Sequence, residues 1–358
     1  METPLSTDPV AEVIVVDNHS ADGSPEYLQN RFSRVRFIFN PENLGYGRAN
    51  NLGLKHASGR YILFLNPDTI LAEDSLVKCL GFLESHPGSG AMGVRMIDGH
   101  GEFLRESMRG FPSPWVAFCK MSGLTTLFPR SRWFARYYLG HLDPGMEHSV
   151  DVLSGAFMMI KKEALDKTGG FDERFFMYAE DIDLSERIRQ AGFRNYYYPG
   201  TSIIHFKGES TRKDAGYVRQ FYKAMIQFMH KHGSGGSRFM MICMEMGIRL
   251  SSGMSALFHG SRRDTNTQDA KQIKSWITGD EQSIREIKSV LAISQRSCVE
   301  KKEDATEIIF CEGPGFSFGE IIVSLQKNNA SSYRIHGLGS TSMVGSDSKK
   351  FPGEAFGW

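Results

Sequence analysis

The sequence has no C-x-x-C pair: Cys79, Cys119, Cys243, Cys298 and Cys311 each stand alone. Such spacing argues against a zinc cage or a disulfide framework and for free thiols in a reducing compartment. There is no G-x-x-x-x-G-K-S/T loop, and no G-x-G-x-x-G follows the first apolar run. The phosphate-loop kinases and the Rossmann dehydrogenases therefore lose their main signature. The N-terminal "METPLSTDPVAEVIVV" lacks the basic start and long apolar core of a secretory signal. No stretch of about 20 residues is apolar enough for a clear membrane span. With 42 basic against 41 acidic residues the net charge is +1, so no overall field draws nucleic acid, which is not an expected partner.

What is present is ordinary globular material, 41% hydrophobic and 23% charged, in a chain long enough for one large domain with an appendage. From residue 12 to about 230 the pattern alternates between strand and helix. "EVIVV" (12–16), "VRFIF" (35–39) and "YILFL" (61–65) are short apolar runs, suited to strands buried on both faces of a mainly parallel sheet. "SPEYLQNRF" and "GRANNLGLKHAS" between them are long enough for crossover helices. Further strands are expected at 156–160, 194–198 and 202–205. The segment 99–150, rich in Arg, Trp, Phe and Pro with weak periodicity, reads as a long insertion of the kind that serves as a lid or substrate contact.

These patterns predict three parts: a domain over 1–230, a joint and amphipathic helix over 231–263, and an appendage over 264–358. Within 238–263, apolar residues recur at helical spacing and Arg238, Arg249, Arg262 and Arg263 add charge. That helix packs on protein or lies on a membrane surface. In the appendage a helix is expected at 281–293 and a strand–turn–helix at 307–328. "GLGSTS" (337–342) has the look of a phosphate loop, but no strong strand is expected before it.

In an open α/β sheet, ligands bind outside the carboxyl ends of the strands. "VIVV" runs into Asp17 and Asn18, "YILFL" into Asn66-Pro67-Asp68, and "TSIIH" closes on His205. "FFMYAEDIDLSERIRQAG" (175–192) adds Glu180, Asp181 and Asp183 at the start of a helix whose buried side is Ile182, Leu184, Ile188 and Ala191. Acids in a first helical turn are favoured by the helix dipole alone, so this stretch by itself is compatible with simple capping. Carboxylates and an imidazole without cysteine suit a hard divalent cation, Mg²⁺ or Mn²⁺, which completes its shell with water and phosphate oxygens. A phosphorylated substrate follows.

The ordered set "VIVVDNHSADGS" (13–24), "NPENLGYGRANNLGL" (40–54), "YILFLNPDT" (61–69), "LSGAFMMIKKEAL" (153–165), "GGFDERFFMYAEDIDLSERIRQAGFRNYYYPG" (169–200) and "IIHFKGES" (203–210) resembles the family 2 inverting glycosyltransferases, in their rhamnosyltransferase-like branch. The resemblance spans residues 12–225. It implies an α/β fold: a GT-A-type nucleotide-sugar-binding sheet with flanking helices, plus a small C-terminal α/β or partly disordered appendage.

It also implies roles. Asp17 and Asn18 face the base and ribose of a nucleotide-diphosphate sugar. Asn43, Gly45, Arg48 and Asn50 line the nucleotide side, where glycine lets backbone approach the ligand. Asn66-Pro67-Asp68 stands where the family carries D-x-D, so Asp68 contacts the metal, with His205 as the second contact to metal or diphosphate. Gly155 and Ala156 form the sugar and acceptor floor, or simply pack tightly. Asp181 is the general base, Glu180 holds acceptor hydroxyls, and Asp183 caps the helix. The aromatics at 175–178 offer a sugar-stacking face or are core.

The activity implied is transfer of a sugar, with inversion, to a saccharide or lipid-linked acceptor in cell-surface polysaccharide synthesis of the O-antigen or capsule kind. The implied location is cytoplasmic, with peripheral contact at the inner face of the plasma membrane through 238–263. The family places a strand and helix before "VIVVDN", and only eleven residues precede Glu12, so an N-terminally truncated domain is expected. Two other readings stand beside this one: a catalytically silent module that binds nucleotide sugar, and a sugar nucleotidylyltransferase. The latter needs a Gly-rich, Arg-containing loop at the first strand and a downstream lysine, neither of which is visible.

Overall fold

A computed structural model describes residues 11–206, 215–233, 273–291, 296–327, 332–346 and 354–357. The first two apolar runs become β1 (Ile14–Asp17) and β2 (Arg36–Phe39), a parallel pair joined through α1 (Ser24–Arg31), with α2 (Tyr46–Leu54) following. Next come β3 (Tyr61–Leu65), β4 (Thr69–Leu71), α3 (Ser75–Ser85) and β5 (Ser89–Ile97). Two short helices, α4 (Pro114–Met121) and α5 (Leu124–Leu127), precede β6 (His148–Val150) and β7 (Phe157–Lys161). Then follow α6 (Lys162–Thr168), α7 (Glu180–Gln190), β8 (Arg194–His205) and α8 (Ala215–His232).

The architecture is mixed α/β, and the mainly parallel sheet expected from the apolar runs is corrected. β3, β7, β5, β8 and β4 hydrogen-bond in that order with β6 beside β8, and of these contacts only β5–β8 is parallel. β1 and β2 form a separate two-stranded sheet. A continuous apolar run reports burial on both faces, and it reports direction only indirectly. Both faces are indeed covered. Phe64, Leu153, Ile160, Leu184 and Ile188 pack on one side, where α7 lies, and Phe82, Leu83, Met92, Met96 and Phe157 pack on the other under α3.

Two further differences have local causes. β5 escapes the apolar-run signal because Gly90 and Gly93 interrupt it. Gly90 is where α7 approaches, since a Cβ there would lie 2.7 Å from Ile188 Cγ2. The strands expected at 194–198 and 202–205 are one strand. Its ladder to β5 jumps from Val94–Tyr198 to Arg95–Ser202, so that Pro199, which has no N–H to give, sits in a bulge.

The C-terminal part is α/β as expected. It comprises β9 (Ile273–Gly279), α9 (Glu281–Leu291), β10 (Arg296–Cys298), β11 (Glu307–Cys311), α10 (Phe318–Lys327), β12 (Ser332–His336), β13 (Ser342–Ser346) and β14 (Glu354–Gly357). Its sheet runs β10-β9-β11-β12-β13-β14, parallel through β12 and antiparallel beyond. One buried cluster joins Ile308, Phe310, Ile321 and Leu325 of this part to Ile97, Ile204 and Phe206 of the first. The Glu73 carboxylate accepts the Phe318 and Gly319 N–H groups at the start of α10, at 2.7 and 3.1 Å. "GLGSTS" does follow a buried strand, β12, contrary to expectation. Two of its N–H groups are already taken by carboxylates, however: Leu338 donates to Glu312 and Gly339 to Glu286. The loop is capped by the chain's own carboxylates, which leaves little for a phosphate. The helix expected over 238–263 lies outside the described residues. Among the described residues no helix is long and apolar enough to cross a membrane.

Candidate active site

The sheet register explains how Asp68 and His205 meet. β4 pairs antiparallel with the end of β8, Thr69 opposite His205, and the Phe206 N–H donates to the Asp68 carbonyl at 3.0 Å. Asp68 Oδ1 then lies 3.3 Å from His205 Nε2, near enough for ionic attraction but without the alignment of a hydrogen bond. Burial alone would raise the Asp68 carboxyl. The His205 imidazole, its own backbone N–H and the Asn66 side chain outweigh that and hold it below the usual range, so it is ionised. Asp68 Oδ1 and His205 Nδ1 are buried atoms with no hydrogen-bond partner. An ionised oxygen left wanting a partner, with an imidazole nitrogen 3.3 Å away, fits a hard divalent cation. The donor set is the expected pair and no larger: among the described residues no three His, Cys, Asp or Glu side chains gather to hold an ion. The rest of the shell falls to substrate and water.

Elsewhere in the site, α7 begins after two non-glycine residues in left-handed conformation, Tyr178 (φ 71°) and Ala179 (φ 65°). Strain of this kind collects at functional sites, where surrounding structure holds it in place. It sets Glu180 and Asp181 at the mouth of the helix. Asp181 Oδ2 accepts from Arg109 Nη2 at 2.5 Å and from the Gly155 N–H at 3.1 Å, whereas Oδ1 accepts only the neighbouring Ile182 N–H, at 2.8 Å. Glu180 is buried, and its Oε2 has no hydrogen-bond partner. Burial first, and then the charge of Asp181, push its carboxyl up to about 8. The adjacent carboxyls are thus unlike: Asp181 is anchored at one oxygen, and Glu180 stays neutral at pH 7.

The "LSGA" loop bridges these two parts of the site. The Gly155 N–H holds Asp181, and the Ala156 carbonyl accepts the Asn66 N–H at 3.0 Å. Tyr46 crosses the same space. Its hydroxyl donates to the Gly155 carbonyl at 2.8 Å, and its acidity is suppressed by burial and by the charges of Glu180, Asp181 and Asp68.

The residues expected on the nucleotide side are placed as follows. Asp17 ends β1 and turns its carboxylate onto the His19 and Ser20 N–H groups. Asn18 binds Asn40, Asn43, Leu44 and the Gly45 carbonyl, and so shapes the 40–45 loop. Gly45, at φ 82°, is needed less for a ligand than for the backbone of Phe176, into which a Cβ would run. Asn50 donates to the Tyr46 carbonyl at 3.0 Å, bracing the tyrosine. Arg48 stands apart, half-exposed, with Nε 3.6 Å from Glu173, on an open groove of about 600 Å³ that Lys223 and His230 also line.

Asp183 is a correction. It does not cap α7 from the surface: it is fully buried and binds Arg187 at 2.8 Å and Lys231 and His232 at 2.6 Å each, tying α7 to α8. Burial would raise its carboxyl, but His232, Lys231 and Arg187 hold it low. The aromatic run divides, with Phe175 in the core and Phe176 exposed. Arg109 and Tyr46 escaped the sequence reading. The one legible sign of Arg109 is a lone arginine ahead of Gly-Phe-Pro at the entry to the insertion, and of Tyr46 its place inside "NLGYGRANN".

Residues 4–169 match the model of glycosyl transferase family 2. The chain is 31% identical over 243 residues to the N-acetylglucosaminyl-diphospho-decaprenol L-rhamnosyltransferase of Mycobacterium tuberculosis, covering 64% of this chain and 78% of that protein. It is 29% identical to rhamnosyltransferase WbbL of Escherichia coli K12, covering 47% of this chain and 63% of that one. The mannosyltransferase of Pyrobaculum calidifontis, solved in complex with GDP-Man and Mn²⁺, aligns with a TM-score of 0.42 at 17% identity over 70% of this chain and 67% of that one. The chain belongs to glycosyl transferase family 2 and is a rhamnosyltransferase-like glycosyltransferase.

Proposed function

We propose that the protein transfers a sugar, by resemblance rhamnose, from a nucleoside-diphosphate sugar to a lipid-linked saccharide in one inverting displacement, during synthesis of a cell-surface glycan. The observation that carries this reading is the asymmetry of Asp181. With Oδ2 fixed by Arg109 and Gly155, Oδ1 is the oxygen left to take a proton.

The acceptor hydroxyl gives that proton to Asp181 Oδ1 as its oxygen bonds to the anomeric carbon, and the bond from that carbon to the diphosphate breaks on the opposite face. Neutral Glu180 can both donate to and accept from the acceptor's hydroxyls, and Tyr46 is fixed beside it on the Gly155 carbonyl. A divalent cation, Mg²⁺ or Mn²⁺, held by Asp68 and His205 would neutralise charge on the departing diphosphate. The β1 end with Asp17 and the loop shaped by Asn18 form the floor for the nucleotide. The acceptor class rests on the mycobacterial relative, whose name gives a sugar carried on a diphospho-decaprenol.

The test is incubation with a nucleoside-diphosphate rhamnose and a polyprenyl-diphosphate N-acetylglucosamine, reading the anomeric configuration of the product by NMR. Inverted product is expected. Retained configuration would refute the single displacement, and donor binding without transfer would favour a silent module.

A further inference from the structure

The segment from Phe111 to His141 departs from the rest of the chain in charge. It carries Lys120, Arg130, Arg132 and Arg136 and no acid, in a sequence whose charges otherwise balance. It also holds the most exposed large apolar side chains of the described residues. Trp133 is 75% and Leu127 71% exposed, and Trp115, Phe118 and Phe128 are each exposed too.

These rings form one group. Trp115 stacks with Phe118 at 5.6 Å between centroids, Phe134 lies 6.3 Å from Trp115 and 5.4 Å from Phe128, and the Trp115 indole N–H donates to the Trp133 carbonyl at 3.1 Å. A folded chain in water rarely leaves so many large apolar groups together at its surface unless something covers them. Arg130, Arg132 and Arg136 are exposed in the same segment.

We infer that this segment, built on α4 and α5, is a docking surface for an anionic lipid bilayer. Tryptophan settles at the level of the headgroups, where its apolar body and polar N–H are both accommodated, phenylalanine and leucine bury beside it, and arginines add attraction to anionic lipid. The absence of any acid removes the repulsion that such a surface would otherwise meet.

The anchorage of the segment gives the contact a purpose. Its two ends meet where the Gly110 N–H donates to the Tyr137 carbonyl at 2.8 Å, one residue beyond the Arg109 that holds Asp181. The segment proposed to touch the bilayer is thus continuous in the chain with the arginine that holds the base, so a lipid-borne acceptor bound there would meet the element bordering Asp181. That consequence rests on the lipid-linked acceptor proposed above; the lipid contact itself does not.

The test is sedimentation of the full chain with vesicles of phosphatidylcholine alone or of equal parts phosphatidylcholine and phosphatidylglycerol. Binding to the anionic vesicles, weakened by salt, is expected. Phe128→Ser with Trp133→Ser should lower that binding by about tenfold or more. Arg130→Gln with Arg132→Gln should lower it roughly fivefold per charge and leave the weak affinity for neutral vesicles as it was. Turnover of a short-chain, water-soluble acceptor should be the same in both variants as in the parent. Its absence in every form would sink the acceptor reading and leave the lipid contact standing. Unchanged vesicle binding in the aromatic variant overturns the inference. So does a dimer that the aromatic substitutions split in a protein that binds neither vesicle, since a second copy is then what covers the patch.

Discussion

Asp181→Asn is expected to lower turnover by roughly 10²- to 10⁴-fold, the usual share of a positioned general base, while donor affinity changes little. The substitution retains shape: an amide oxygen in place of Oδ2 can still accept from Arg109 and Gly155, the contacts that fix the side chain. What is lost is the carboxylate oxygen that, in the proposed mechanism, takes the acceptor's proton. Arg109 then faces a neutral partner in a buried setting, where its charge was offset by Asp181. A lower melting temperature will therefore accompany the loss of rate. Single-turnover rates under saturating donor separate the two effects, because a protein that is merely less stable still reacts at the normal rate below its transition. Near-normal turnover in Asp181→Asn together with an inert Glu180→Gln would transfer the role of base to Glu180.

Asp68→Ala should abolish the part of nucleoside-diphosphate affinity that depends on Mn²⁺. In the proposed site Asp68 and His205, 3.3 Å apart, are the protein groups that would hold the cation. Even partners one step removed from a metal typically change its affinity by 10- to 100-fold, so removal of a direct ligand should exceed about 100-fold. Calorimetric titration with and without Mn²⁺ reads this directly. The parent should gain affinity with the ion and the variant should not. Equal gains in both would show that the cation sits elsewhere.

Much of this site was legible because strand ends and a helix start are where a chain of this pattern must place polar residues. Asp68, His205, Glu180 and Asp181 all fall at such points, and the proposed chemistry rests on their residue types. Sheet direction was not legible, since an apolar run such as "AFMMI" records that both faces of a strand are covered and leaves its neighbours open. β5 was hidden by glycines whose purpose exists only after folding: Gly90 admits Ile188 of α7, and Gly93 admits Leu153 and the Phe157 carbonyl. Asp183 looked like a surface cap because its partners Lys231 and His232 lie 48 and 49 residues downstream, on α8. Arg109 was hidden for the same reason: a buried arginine has meaning through its partner, and Asp181 is 72 residues away.

The division of labour between two adjacent carboxyls is the centre of this account, and the pH dependence of kcat/KM for the acceptor tests it most directly. Glu180 is held neutral up to about pH 8 by burial and by the charge on Asp181. Below that value it can hold an acceptor hydroxyl. Above it the ionised group, with no donor to meet Oε2, must hydrate or move, and the acceptor subsite is lost. The account predicts that kcat/KM falls as pH rises through about 8 in the parent, and that Glu180→Gln is slower but flat over the same range. A parent rate that rises through that range would mean that Glu180 must ionise to work, and would contradict the assignment of the base to Asp181.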